Sequence, residues 1–269
     1  MSKKIRLFWW SEIELMGKSK ENFGDLLGKY LVEKISGKKV VWMHPKKWHL
    51  QDLFSPIYVT IGSVLAQVNS KCIVWGSGVI SKDAKIEKAK FLAVRGPRTR
   101  EVLIYQGCHV PEVYGDPAIL LPKYYNPKIA KKYSLGIVPH YIDYQATKEL
   151  YASEKDVLII DLMTSNIEAT TDLFLQCKRI ISSSLHGLIV SHSYEIPAVW
   201  IQFSGKLFGD GIKFQDYFDS VGISNYIPAI SEKKFTNIEI QDLFKNLPSL
   251  PERGNIESLQ AGLMSVCPF

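Results

Sequence analysis

Short apolar runs alternate with amphipathic, helix-length stretches along most of this chain, and few architectures accept that order. Lys4 to Trp10, Val40 to Met43, Ile57 to Ile61, Cys72 to Trp75 and Phe91 to Val94 read as strands. Between them, Gly24 to Ile35 reads as a helix, with Leu27, Leu31 and Ile35 at helical spacing, and Arg98 to Gln106 as another, closed by Gly107. Strands separated by helical crossovers pair in parallel, so the expectation is a parallel sheet flanked by helices.

The pattern breaks and then restarts. Asp116-Pro117, Pro122, Lys123 to Pro127 and Lys128 to Lys132 make a polar, proline-bearing stretch that reads as an interdomain linker. Beyond it, Leu135 to Val138, Val157 to Ile160, Arg179 to Ser182 and Ala198 to Ile201 read as strands, with helices over Glu168 to Gln176 and Leu188 to Tyr194. Residues after about 226 look helical and are expected to pack back across both halves. A chain of 269 residues is one large domain or two small ones. The fold class expected is α/β, GT-B-like, with Rossmann-like domains over 1–125 and 126–269 around a cleft.

Composition removes several classes of function. Cys72, Cys108, Cys177 and Cys267 are scattered without a C-x-x-C pair, which argues against a metal or disulfide framework and for a reducing cytoplasm. The basic-then-apolar start is too short for a signal peptide, and no window is long enough to span a membrane. Net charge is +6, spread over short lysine clusters, none of them a nucleic-acid arm. Such a surface suits an anionic substrate or an anionic membrane face.

The densest chemistry lies in Ile180-Ile-Ser-Ser-Ser-Leu-His-Gly-Leu-Ile189, which reads as strand, polar turn and helix start. N–H groups at a helix N-terminus beside serine hydroxyls hold anions, and His186 puts a titratable ring next to whatever sits there. A serine N-cap with a solvent-facing histidine explains the same letters equally well. In open parallel sheets, ligands sit beyond the carboxyl ends of strands. Polar residues at such ends are Asn22 to Asp25, Gly62-Ser63, Gly76-Ser77-Gly78, Arg95 to Arg98, Gly115-Asp116-Pro117, Pro139-His140 and Ser182 to His186. Arg95 follows an apolar strand directly and offers a planar fork for carboxylate or phosphate; for Arg98 a surface ion pair is as good a reading. His44, His49, His109 and His192 have no such context and read as structural. Gly76 to Ser81 lacks the third glycine of a dinucleotide fingerprint, and no H-E-x-x-H or D-x-D motif suggests a metal.

Taken in order, Asn22-Phe-Gly-Asp25, Gly76-Ser-Gly78, Val94-Arg-Gly-Pro-Arg98, Tyr114-Gly-Asp-Pro117, Pro139-His140, Ser183-Ser-Leu-His-Gly187 and Ile196-Pro197 resemble the polysaccharide pyruvyltransferase family over roughly residues 5 to 220. The resemblance implies a GT-B-like fold and transfer of pyruvate from phosphoenolpyruvate to a sugar as a cyclic ketal, in exopolysaccharide, capsule or cell-wall polymer assembly. It implies no cofactor beyond the donor itself. It puts His186, His140 and Asp25 forward as catalytic, and Arg95, Arg98, Ser183, Ser184, Leu185, Lys213, Asn22, Gly76, Ser77 and Asp116 as substrate-binding.

One position departs from the family. Many members carry arginine where this chain has Ser184, and that arginine is thought to hold the donor's phosphate or carboxylate; here either Arg95, Arg98 or Lys213 takes more of the anion, or donor affinity is lower, or the donor differs. Acceptors in this family are often lipid-linked oligosaccharides at the cytoplasmic membrane face. The segment Val41 to Trp48, with its tryptophans and lysines, fits a peripheral contact there, or acceptor binding, or plain packing. The competing reading is a GT-B glycosyltransferase with a nucleotide-sugar donor, for which Glu195 is the only nearby candidate for a ribose carboxylate. A non-catalytic scaffold in a polysaccharide assembly complex would not need the Arg, His and Asp gathered at strand ends.

Overall fold

The apolar alternation becomes two all-parallel sheets. In a computed structural model that describes residues 4–48, 50–206 and 209–269, the chain opens with β1 (Ile5–Phe8), α1 (Glu12–Met16), a two-residue β2 (Glu21–Asn22) and α2 (Phe23–Ser36). It continues through β3 (Val40–Trp42), β4 (Ile57–Val59), β5 (Cys72–Trp75), β6 (Lys90–Ala93) and α3 (Pro97–Tyr105). The first sheet has the order β3-β1-β4-β5-β6. Successive residues point to opposite faces, so Trp75 joins Leu27 and Leu31 of α2 on one face, while Val74 joins Leu103 of α3 on the other. Local chemistry sets the ends of α2: the Asn22 side chain accepts from the Gly24 N–H, and Gly37, at φ 65°, stops the helix.

The expected linker is only partly one. Pro117–Leu120 form a 3-10 turn that runs into α4 (Leu121–Tyr124). Ala118, Ile119, Leu120 and Leu121 are fully buried in a core shared with Trp75 of the first sheet and Val138 of the second. The lysine-bearing remainder, 128–132, is largely exposed as expected.

The second half runs β7 (Leu135–Val138), α5 (Tyr144–Leu150), β8 (Val157–Ile159), β9 (Met163–Thr164), α6 (Ile167–Leu175), β10 (Ile180–Ser182), α7 (Leu185–Ser193), β11 (Ala198–Trp200), α8 (Ile212–Val221), α9 (Asn237–Asn246) and α10 (Arg253–Ser265). Its sheet has the order β11-β10-β7-β8, all parallel. Helices α6 and α7 cover one face, and Ile240 and Leu243 of α9 cover the other. Helix α7 begins a turn earlier than the apolar run at Leu188 suggested, which places His186 in its first turn.

Several elements tie the halves together. β2 pairs antiparallel with β9, Glu21 opposite Thr164. Helix α10 returns to the first half: the Trp75 indole donates to the Leu263 carbonyl at 2.9 Å, and Gln260 donates to the Ile119 carbonyl at 2.7 Å. Helix α8, absent from the sequence reading, packs on α3: Asp216 accepts from the Thr99 N–H and hydroxyl, and Asp219 accepts from Arg98. His49 lies outside the described residues. Trp48 is exposed beside Lys46 and Lys47, and Leu50 and Phe54 further along the same loop are exposed as well. Nearby, Asp52 is ion-paired to Arg6 and Lys71. Among the described residues no helix is long and apolar enough to cross a membrane.

Candidate active site

Each sheet has one place where the strand order reverses. In the first, β1 is flanked by β3 and β4; in the second, β7 is flanked by β8 and β10. Such switch points open a crevice beyond the carboxyl ends of the strands. Here the two crevices share one cavity of about 500 Å³. Trp10 and Glu12 reach it after β1, Gly62 and Ser63 after β4, His140 and Tyr141 after β7, and Ser184, Leu185 and His186 after β10. Asn22 and Asp25 enter from the start of α2, Lys213 from the start of α8, and Gln67 from the loop beyond Ser63.

His186 is held closely. A Cβ added to Gly24 would lie 2.0 Å from His186 Nδ1, so the imidazole lies against the bare backbone of α2. On the opposite edge, Nε2 faces Asp116 Oδ2 at 3.6 Å, and neither atom has a hydrogen-bond partner among the described residues. The His186 side chain keeps only 11% of its surface exposed. Asp25 sits with its carboxyl close to Gly62, where an added Cβ would meet Oδ1 at 3.1 Å. Burial pushes the Asp25 carboxyl up to about 7, against the opposing pull of His186 and with added repulsion from Glu12 and Glu21. Asp25 is therefore a group able to give or take a proton near neutrality.

The serine turn divides its labour. Ser182 Oγ donates to the Ser184 carbonyl at 2.8 Å and accepts from the Ser184 N–H at 3.0 Å, which closes the turn. Ser183 Oγ accepts from the His140 N–H at 2.8 Å and joins the loops after β7 and β10. Ser184, the N-cap of α7, makes no side-chain cap bond, so its hydroxyl and the first N–H groups of α7 lie at the cavity wall. His140 is pushed down to about 4, first by burial and then by the Lys213 charge. A ring that is neutral at physiological pH is poorly suited to donating a proton, so His140 fits an accepting or positioning role better than that of second acid. Lys213 is pushed down to about 8, first by burial and second by the Arg95 charge, with Asp25 pulling the other way.

The structure reassigns both arginines. Arg95 is fully buried; its guanidinium donates to Asp216 at 3.0 Å, to Ser63 at 2.7 Å and to the Val79 carbonyl at 2.8 Å. Its charge is thus balanced by Asp216, and it reaches the cavity only through Ser63. Arg98 pairs with Asp219 at 2.6 Å and Gln215 at 2.6 Å between α3 and α8, away from the cavity. Gly76, Ser77, Ser183 and Asp116 also stand behind the wall. Ser77 Oγ donates to the Gly62 carbonyl at 2.7 Å. A Cβ on Gly76, whose φ is +94°, would lie 2.3 Å from Pro117 Cδ, so this glycine makes room for the Asp116-Pro117 turn. Of the histidines read as structural, His192 is buried between the Tyr217 hydroxyl and the Ala198 carbonyl, and His44 packs edge-on against Phe8.

Sequence reasoning missed Trp10, Glu12, Gln67 and Tyr141, all cavity-lining. Glu12 Oε2 takes the Lys18 ammonium at 2.7 Å, and Lys18 also lies 4.6 Å over the Tyr141 ring. Buried Glu21 fixes this wall by accepting from the Trp9 indole, the Ser11 hydroxyl and the Glu12 N–H. A strand-end signal existed for two of them: Trp10 is the last residue of one predicted strand, and Tyr141 lies close behind another.

Two parallel sheets meeting at a cleft lined by histidine, carboxyl and lysine define a Rossmann-like α/β protein whose titratable groups gather at the strand ends. Within that class, residues 22–204 match the family model described as polysaccharide pyruvyl transferase, and the chain belongs to that family. It is also 34% identical over 244 residues to "Uncharacterized protein L143" of Acanthamoeba polyphaga mimivirus, which covers 85% of this chain and 81% of that one. Membership identifies a transferase and points to pyruvyl transfer in polysaccharide biosynthesis.

Proposed function

We propose that the cleft transfers pyruvate from phosphoenolpyruvate to two hydroxyls of one sugar residue, forming a cyclic ketal and releasing phosphate. The observation that carries this reading is a single cavity holding an anion-binding wall and a proton-handling wall. Lys213, the N–H groups at the start of α7 and the Ser184 hydroxyl form the first. His186 and Asp25 form the second. The donor's carboxylate and phosphate lie against the first wall. One sugar hydroxyl adds to C2 of the donor while His186 delivers a proton to C3, turning the methylene into a methyl group. Asp25 takes the proton from the attacking oxygen. The second hydroxyl then attacks C2, the C–O bond to phosphate breaks, and the hydroxyl proton leaves with the base or the departing phosphate. Trp10 and Tyr141 offer the acceptor ring apolar faces, and Gln67 offers it an amide.

The GT-B-like arrangement, with domains over 1–125 and 126–269, belongs to the same proposal and is supported by the two sheets on either side of residue 125. So does a lipid-linked acceptor met at the cytoplasmic membrane face. Trp48, Leu50 and Phe54, exposed on the loop that carries Lys46 and Lys47, supply an apolar and cationic contact for it. The protein is expected to co-sediment with phosphatidylglycerol vesicles and not with phosphatidylcholine vesicles, and Trp48→Glu is expected to abolish this; equal recovery of wild type and variant would remove the membrane contact.

The central test is thermal stabilisation followed by turnover. A ligand at ~100 times its dissociation constant that binds only the folded state adds roughly 2.7 kcal/mol, enough to raise the melting temperature visibly. Phosphoenolpyruvate is expected to give that shift, and UDP-sugars are not. Phosphate release is then expected only with a sugar diol present. A shift with a UDP-sugar alone would transfer the reading to a glycosyltransferase.

A further inference from the structure

The 3-10 turn at residues 117–120 begins with a carboxylate that has an unmet need. Asp116 is completely buried, and its Oδ1 accepts from the Ala118 N–H at 3.0 Å. Oδ2 has no partner among the described residues. A buried oxygen left without a donor costs free energy, the more so when charged, so a donor within reach is expected to be used. Three groups come into question. Burial first, and the Asp116 charge second, keep the Tyr217 hydroxyl protonated, but its proton is already committed. His192 Nε2 lies 3.1 Å from the Ala198 carbonyl and must carry a hydrogen there; Nδ1 is then an acceptor, and the Tyr217 hydroxyl 3.0 Å away donates to it. Arg95 is engaged by Asp216, Ser63 and Val79. The remaining donor is His186 Nε2, itself buried, partnerless and 3.6 Å from Oδ2.

The seat for this pair is built from both sides. Gly115 adopts φ +133°, and a Cβ on Gly76 would lie 2.7 Å from the Gly115 carbonyl oxygen and 2.3 Å from Pro117 Cδ. Gly24 leaves the space that the imidazole fills. At 3.6 Å the contact is longer than a hydrogen bond. Such contacts in unliganded sites tighten when a ligand completes them.

We propose that Asp116 is the positioning residue of His186: its second carboxylate oxygen accepts a hydrogen bond from Nε2–H, fixes the tautomer, and leaves Nδ1 as the nitrogen that exchanges a proton with substrate. The last clause rests on the pyruvyl-transfer reading; the tautomer itself does not. A carboxylate here selects Nε2–H. In delivering a proton from Nδ1, the ring passes from imidazolium to the neutral Nε2–H form that the Asp116 carboxylate stabilises; an asparagine of the same shape can turn its amide N–H₂ toward Nε2, which then accepts, so the ring is held as neutral Nδ1–H and no longer carries the second proton it has to deliver.

The test is ¹⁵N NMR of histidine-labelled full-length protein without substrate, with His186 assigned by its loss in His186→Gln. Wild type is expected to hold neutral His186 as Nε2–H, and Asp116→Asn to move it toward Nδ1–H. In turnover with phosphoenolpyruvate, Asp116→Asn is expected to lower kcat by roughly 10²- to 10⁴-fold, up to the loss seen when the carboxylate behind a proton-transferring histidine becomes an amide, with KM for the donor unchanged. Wild-type His186 as Nδ1–H, or an unaltered tautomer in a folded Asp116→Asn protein, would overturn the proposal. Should Asp116→Asn not fold, the wild-type tautomer decides alone. Absence of pyruvyl transfer by wild type would sink the functional reading and leave the tautomer result standing.

Discussion

Lys213→Met is expected to weaken phosphoenolpyruvate binding by roughly 10- to 150-fold, the equivalent of ~1.5–3 kcal/mol for a hydrogen bond to a charged group. Both arginines that the sequence offered for the donor are already paired, Arg95 with Asp216 and Arg98 with Asp219. Lys213 is the lysine or arginine that lines the cavity with His186. Its ammonium shifts to about 8 because burial and the Arg95 charge disfavour it, and a bound anion supplies the compensation it lacks. The sign follows directly. Below about pH 8 the group is cationic and holds the donor; above it the charge goes and affinity falls. Asp25, pushed up to about 7, works in the other direction, since it becomes a base only above that pH. kcat/KM is therefore expected to rise through about 7 and fall through about 8, and the upper limb is expected to vanish in Lys213→Met. A second substitution checks the placement of the charge. Ser184 caps α7 at the same cavity without using its side chain as a cap, so Ser184→Arg in the Lys213→Met background is expected to recover donor affinity to within about tenfold, because arginine supplies a planar fork to the same anion. Isothermal titration with phosphoenolpyruvate reads all three proteins; unchanged affinity in Lys213→Met would remove the lysine from the donor site.

That Lys213, and neither arginine, is the cation proposed for the donor marks the boundary of what the sequence could say. Strands, crossovers and the serine turn were legible because their signals are local: apolar runs of strand length, an Asn cap, a glycine stop, a histidine one turn into a helix. Asp25 and His186 were legible for the same reason, since each stands at the polar start of a helix behind a strand. Arg95 was legible as important and misread in role. An arginine after an apolar strand looks the same whether it meets a substrate or a carboxylate on a remote helix, and Asp216 lies on α8, far along the chain. That helix itself was visible in principle, because Phe214, Phe218 and Val221 fall at helical spacing and are all buried. The supposed linker misled in the opposite sense. Prolines and lysines around Ala118 to Leu121 suggested solvent, while those four apolar residues plug the core shared by both sheets. Glu12 and Gln67 reach the cavity because two sheets face each other across it, a relation that no local pattern carries, whereas Trp10 and Tyr141 stand at or just behind strands that the sequence shows.

Gly24→Ala is expected to cost roughly 10²- to 10⁴-fold in kcat, the range associated with losing a positioned proton-transfer group. The added Cβ would stand 2.0 Å from His186 Nδ1, 2.4 Å from Cγ and 2.7 Å from Cε1, distances that no real contact tolerates. One side has to move. The α2 backbone is fixed by the Asn22 cap at 3.0 Å, by β2 pairing with β9, and by the buried Leu27 and Leu31 that follow. The imidazole is the softer partner, since it borders a cavity of about 500 Å³ into which it can swing. Swinging takes Nε2 away from Asp116 and Nδ1 away from its place beside α2, so proton delivery is lost while the fold remains. Alanine is also the better helix former by about 1 kcal/mol at most, which limits any loss of melting temperature. Gly28, one turn further along α2, provides the comparison. There an added Cβ would meet Thr60 Oγ1 at 2.8 Å, and Thr60 is a buried residue that is not part of the cavity lining. Gly28→Ala is accordingly expected to lower the melting temperature and to leave kcat within a few-fold of wild type, because overpacking acts on stability where no reacting group is displaced. Thermal melts and steady-state phosphate release on the two variants separate the cases. A Gly24→Ala protein with wild-type kcat would mean that the position of His186 against α2 does not matter to turnover, and the imidazole would then lose its place as the acid.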